Sequence, residues 1–96
     1  MLSQERNSDN LSDLQYALTN FNLVSIEYTN KENLVTKRII EPFAILNSEN
    51  WYLVAWCRLR NEFRFFRPDR IQKMEILEEK FEPHKMTLQE YFDKYQ

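Results

Sequence analysis

Five arginines stand within thirteen residues of this chain, at Arg58, Arg60, Arg64, Arg67 and Arg70. Tyr52 and Trp56 come just before the cluster or at its edge, and Phe63, Phe65 and Phe66 fall inside it. A guanidinium is planar and permanently charged, so it can grip a phosphate through two parallel hydrogen bonds or lie against a ring. An aromatic side chain offers a face for an unstacked base, worth on the order of 1 to 3 kcal/mol per base. The two residue types together predict a groove for an anionic ligand carrying bases, namely a single-stranded nucleic acid or a nucleotide. Glu62 and Asp69 are too few to neutralise the cluster. Asp69, following Pro68, reads as a corner residue or as a carboxylate that aims Arg67 or Arg70, and the two roles are compatible.

Other chemistries find little support. The chain has no glycine, which excludes the glycine-rich phosphate loops that bring backbone close to a ligand, so any phosphate must be held by side chains. One histidine and one cysteine cannot complete a zinc site. Cys57 lies in an apolar run and reads as a small buried hydrophobe; His84, between Pro83 and Lys85, reads as a solvated residue of a charged connector. A thiol on a packed strand and a histidine on a linker make a poor catalytic dyad. No enzyme activity and no cofactor are expected.

Net charge is −2, which alone argues against an anionic partner, but the charge is unevenly placed. Between Lys37 and Lys73 eight basic residues face four acidic ones, a balance of +4, while the rest of the chain carries −6. With 43% hydrophobic and 15% aromatic residues, the 96-residue chain suits one small domain with a modest core. No apolar run approaches the roughly 18 to 20 residues of a membrane span, and no basic-then-apolar leader opens the sequence. The lone cysteine agrees with a reducing compartment. A cytoplasmic location without membrane contact is expected.

The elements that must position these residues follow from periodicity. Residues 1–10 are polar and read as a flexible segment. Leu11, Leu14, Ala17 and Leu18 give helical spacing over about 11–20, after candidate caps at Ser8, Asp9 and Asn10. Val24, Ile26 and Tyr28 alternate on a first strand, and 34–46 forms a second, bent at Pro42. The run 51–57 is a strand buried on one or both faces, 62–67 pairs with it as a hairpin, and 70–77 is a fifth strand. Asparagines in the turns are the residues expected to take positive backbone dihedrals. Thr87 and Glu90 mark the start of a second helix over 87–95. The result is a mainly β domain, a small five-stranded barrel over 11–82, with a short N-terminal helix and a C-terminal helical extension over 83–96.

Trp51-Tyr52-Leu53 followed by Val54-Ala55, and then Arg64, Phe66, Arg67, Asp69, Arg70 and Ile71 in an R-x-F-R-x-D-R-I spacing, resemble the signature of the WYL domain. The resemblance extends to Ile26-x-Tyr28, Arg38-x-Ile40, Pro42 and Phe81, and covers roughly 12–82. It implies an SH3-like or Sm-like barrel acting as the effector-sensing module of bacterial transcription regulators, with single-stranded DNA, other nucleic acids or nucleotide second messengers held in a positive groove. It also implies a helix-turn-helix DNA-binding domain in the full-length regulator. Only about ten residues precede the first expected helix here, so reading of duplex DNA in the major groove is not supported by these residues. Tyr52, Arg64, Phe66, Arg67, Asp69 and Arg70 occupy the motif positions, while Arg58 and Arg60 are less tightly specified.

Hairpin register decides which side chains share a face. Setting Arg58 opposite Arg64 groups Tyr52, Val54, Trp56 and Arg58 with Arg64 and Phe66, and leaves Leu53, Ala55, Cys57, Phe63 and Phe65 for the core. A slip of one residue reverses the second strand. The first arrangement is expected because it keeps charge out of the core, and it makes Tyr52, Trp56, Arg58, Arg64, Phe66, Arg67, Asp69 and Arg70 the expected ligand residues. The competing reading is a protein-interaction module in which the same arginines and aromatics form a homodimer or domain interface.

Overall fold

Val24, Ile26 and Tyr28 alternate with Ser25 and Glu27 along β1 (Asn22–Thr29), so one side of the strand is apolar and turns inward. The computed structural model describes residues 2–95, with side chains from 10 to 94. Four further strands follow, β2 (Val35–Asn47), β3 (Trp51–Cys57), β4 (Glu62–Phe66) and β5 (Ile71–Lys80). They form one antiparallel sheet in the order β4-β3-β2-β1-β5, flanked by an N-terminal helix α1 (Leu2–Asn20) and a C-terminal helix α2 (Leu88–Tyr95). This is the expected mainly β architecture, and β3 matches its expected run from end to end. No helix among the described residues is long and apolar enough to cross a membrane.

The sheet curls. Leu14 and Ala17 of α1 meet Val24, Ile26, Ile40, Leu53, Ala55 and Cys57 in a cluster that also includes Phe66 of β4 and Ile71 of β5, so residues from both edge strands share one core. A shift in pairing between Pro42 and Ala44 bends β2 where proline cannot donate to the ladder. The barrel is nevertheless not closed, because β4 and β5 do not pair with each other. Tyr28 helps hold that seam: its ring meets Phe66 edge-on at 5.1 Å, and its hydroxyl accepts the Arg67 N–H at 3.0 Å.

β3 is buried on both faces. Opposite the main core, Val54 packs with Phe63 and with Tyr91 of α2, and Phe43, Trp56, Leu88 and Phe92 fill in around them. The capping box expected at the start of α2 is formed, Glu90 N–H donating to Thr87 Oγ1 at 3.1 Å and Thr87 N–H to Glu90 Oε1 at 3.2 Å.

Two local expectations change. Helix α1 begins at Leu2 and not near residue 11, so Ser8, Asp9 and Asn10 lie within it and do not cap it. No proline or glycine interrupts 2–20, and helical propensity carries the backbone through. The segment 1–10 expected to be flexible falls mostly on side chains outside the described residues. Among the turns, Asn33 (φ 63°) and Asn61 (φ 54°) take positive dihedrals as expected, but so does Phe21 (φ 58°), just past the end of α1. A bulky left-handed residue costs roughly 1 to 2 kcal/mol. Phe21 is held by an edge-on contact with Phe81 at 6.0 Å and by the Phe81 N–H, which donates to its carbonyl at 2.9 Å.

Leu53 is fully buried in the main core. Leu53→Ala is expected to lose roughly 2 to 5 kcal/mol of stability, a large share of what a small domain has. Urea denaturation checks this, and a midpoint equal to the parent's would contradict the packing described.

Candidate ligand cleft

The hairpin register is the first determinant of the site. β3 and β4 pair with Leu53 opposite Phe66, Ala55 opposite Arg64 and Trp56 opposite Phe63. The expected pairing of Arg58 with Arg64 is therefore corrected by an odd number of residues, which reverses the faces of β4. Phe66 and Arg64 share the inner side with Leu53 and Ala55; Phe63 and Phe65 share the outer side with Tyr52, Val54 and Trp56. The physical reason lies in the turn. The Asn61 N–H donates to the Cys57 carbonyl at 2.7 Å, with Asn61 left-handed, so the strands leave each other earlier than a symmetric Arg58 and Arg64 pairing requires.

The charge of Arg64 stays out of the core because β4 is an edge strand, and the inner side at Arg64 is the mouth of the curled sheet. A cleft of about 720 Å³ opens there, between β4, the 3₁₀ turn Pro68–Arg70 and the β1–β2 turn, and it takes in residues of both faces of the edge strand. Lys31, Arg38, Arg60, Arg64, Arg67 and Arg70 line it against only Glu32 and Glu62, and Tyr28, Tyr52, Phe65 and Phe66 supply aromatic wall. Arg70 Nη1 donates to the Asn30 carbonyl at 3.3 Å, tying the two turns together. Asp69 takes both expected roles: it sits in the 3₁₀ turn and accepts Nε and Nη2 of Arg67 at 3.2 and 3.0 Å. Arg64 has a loose partner in Glu62 at 3.6 Å.

Arg38 lines the cleft without being among the expected ligand residues, as do Tyr28, Lys31, Arg60 and Phe65. It is only 8% exposed, on the inner side of β2 across from Ile26. Its Nε donates to Thr36 Oγ1 at 3.1 Å and its Nη1 to Cys57 Sγ at 3.4 Å, and among the described residues no carboxylate pairs with it. Buried charge is ordinarily matched by opposite charge. The signal was present in the sequence: Arg38 stands two residues before Ile40, in the apolar phase of its strand, where an arginine has no packing reason to be.

The structure brings Tyr52, Arg64, Phe66, Arg67 and Arg70 to one cleft, with Phe66 only 2% exposed and belonging chiefly to the core. Trp56 and Arg58 lie off its wall. Trp56 packs edge-on against Phe63 at 5.2 Å beneath the C-terminal segment, and Arg58 Nε donates to Glu41 Oε2 at 2.9 Å. Phe63 belongs to the outer cluster and Phe65 is 43% exposed, so neither is in the main core as expected. His84 is not solvated as expected: its Nε2 lies 2.6 Å from Oε1 of the buried Glu41, and its ring is 5.4 Å from that of Trp56 and 4.9 Å from that of Phe63. The connector returns over the outer aromatic layer, where a histidine can serve both as ring and as hydrogen-bond partner. Cys57 faces the inner core and His84 the outer layer, so the two form no dyad. No group of residues able to hold a metal occurs among the described residues.

Comparisons with known proteins bear on this arrangement. A family model described as the WYL domain matches residues 9–76. The chain is 36% identical over 59 residues to an uncharacterized HTH-type transcriptional regulator, YobV, of Bacillus subtilis (strain 168), a match covering 60% of this chain and 19% of that protein. Its fold is similar to part of the proteasome accessory factor B/C (PafBC) of Arthrobacter aurescens, with a TM-score of 0.72 and 21% identity, over 77% of this chain and 12% of that one. The chain thus spans about a fifth of the curated relative it matches.

The split between scaffold and cleft can be measured. Phe66→Ala is expected to cost roughly 3 to 5 kcal/mol. Arg64→Ala, removing a half-exposed and loosely paired charge, is expected to change stability by about 0 to 1 kcal/mol. Denaturation of the two variants side by side checks both, and a large loss for Arg64→Ala would make that arginine a structural residue.

Proposed function

Because the chain belongs to the WYL domain family, we propose that it is the ligand-sensing part of a transcription regulator whose DNA-binding domain lies elsewhere in the protein. The ligand is a single-stranded nucleic acid or a nucleotide, taken up in the arginine and aromatic cleft. The name of the relative, an HTH-type transcriptional regulator, supports the regulatory part of this reading.

The observation that carries the ligand part is Arg38, a buried guanidinium with a hydroxyl and a thiol for partners and, among the described residues, no carboxylate, lining a cleft of net positive charge. An anion in the cleft supplies the missing countercharge. Phosphate oxygens accept from Arg38 and Arg64, Arg67 and Arg70 extend the grip along the rim, and Tyr52 and Phe65, 6.0 Å apart, offer rings to a base. Duplex nucleic acid keeps its bases stacked and out of reach of these rings.

Affinity for a single-stranded oligonucleotide is expected to fall with salt at a log–log slope of about −2 to −3, for three or four phosphate contacts. Duplex of the same length should compete poorly. Arg64→Ala is expected to weaken binding roughly tenfold or more, and Lys73→Ala less. Arg38→Met separates function from fold, since replacing a buried charge with an apolar side chain of similar size is often neutral or stabilising. It should melt at or above the parent temperature while binding more weakly. A flat salt response, or unchanged affinity in both arginine variants, would favour the alternative in which this surface is a protein interface.

A further inference from the structure

A second hollow, of about 280 Å³, lies beside the cleft and is bounded by Trp51, Pro68, Asp69, Glu49, Asn50 and Arg67. Arg67 lines both concavities and so stands between them. Asp69 holds Nε and Nη2 on one edge of that guanidinium and leaves Nη1 for a further acceptor. Trp51, the first residue of β3, is 45% exposed. A single exposed indole needs no explanation in itself. What distinguishes this one is its place, across a pre-aimed arginine from a cationic cleft.

The hollow differs from the cleft in charge. Glu49 and Asp69 border it, and Arg67 is the one cation among the described residues that does. It therefore disfavours a phosphate and suits a neutral group with donors on its edge and a flat face. A nucleobase is such a group, with exocyclic amines for Glu49 or Asn50 and a ring for Trp51. We infer that this hollow is a base subsite: Arg67 Nη1 holds the phosphate at which a strand leaves the cleft, and Trp51 stacks the base that follows. This rests on the reading of the cleft given above and narrows it, because the ligand must then be an oligonucleotide and not a mononucleotide.

The probes are a deoxycytidine octanucleotide, whose bases carry an exocyclic amine, and deoxycytidine monophosphate. With two tryptophans in the chain, Trp56→Phe leaves Trp51 as the sole indole. In that protein the octanucleotide is expected to quench emission and the mononucleotide to leave it unchanged. Trp51→Ala is expected to weaken the octanucleotide roughly tenfold while leaving mononucleotide affinity and the thermal midpoint as in the parent, and Trp51→Phe, which keeps a ring, should recover most of the loss. Unchanged octanucleotide affinity in Trp51→Ala, with Arg64→Ala weakened, overturns the subsite and leaves the cleft reading standing. Equal weakening of both ligands also overturns it, making Trp51 part of the cleft. Failure of the octanucleotide to bind the parent overturns the subsite, and failure of both probes overturns the cleft with it.

Discussion

The pairing of Ala55 with Arg64 determines how the remaining side chains are distributed. Because a pleat alternates strictly, that one partnership sends Phe66 into the core beside Tyr28, leaves Arg64 at the mouth, and turns Phe63 and Phe65 outward to meet α2. It also explains why the strand needs cover on both sides. With Leu53, Ala55 and Cys57 inward and Val54 and Trp56 outward, β3 is the middle layer of a three-layer stack in which α2 is the outer one. The open seam of the barrel follows as well: a short edge strand ending at Phe66 leaves room for the 3₁₀ turn to swing its arginines across to the β1–β2 turn.

Electrostatics divides the protein along the same lines. On the outer side cation and anion are matched at close range, Arg58 pairing with the buried Glu41, whose other oxygen lies within hydrogen-bond distance of His84. On the inner side the match is partial: Arg67 pairs with Asp69 and Arg64 loosely with Glu62, but among the described residues no carboxylate pairs with the buried Arg38, and the cleft holds more cations than acids.

Much of this was legible in the sequence, for identifiable reasons. An uninterrupted apolar run such as Trp51–Cys57 can hardly be anything but a buried strand, and Thr87 with Glu90 carries its helix start in two side chains. Pro42 announced its bend. The register was not legible, because the two candidate pairings differ by parity and the deciding contact, the Asn61 N–H on the Cys57 carbonyl, is a backbone bond that no side chain encodes. His84 was misread because a polar connector looks solvated until the chain is seen to fold back over Trp56 and Phe63. Arg38 is hidden for a related reason: its strand phase marks it as inward, but its burial beside Thr36 and Cys57 depends on how three strands come together.

The turns of this protein are made without a single glycine, with Phe21, Asn33 and Asn61 in the left-handed region instead. The effect reaches the unfolded chain, where residues bearing a Cβ sample fewer backbone conformations than glycine and have less entropy to surrender on folding. Local strain at Phe21 is thus offset in the ensemble it folds from, and its contact with Phe81 selects one of relatively few available shapes. For a domain with so modest a core, part of the stability resides in what the disordered chain is unable to do.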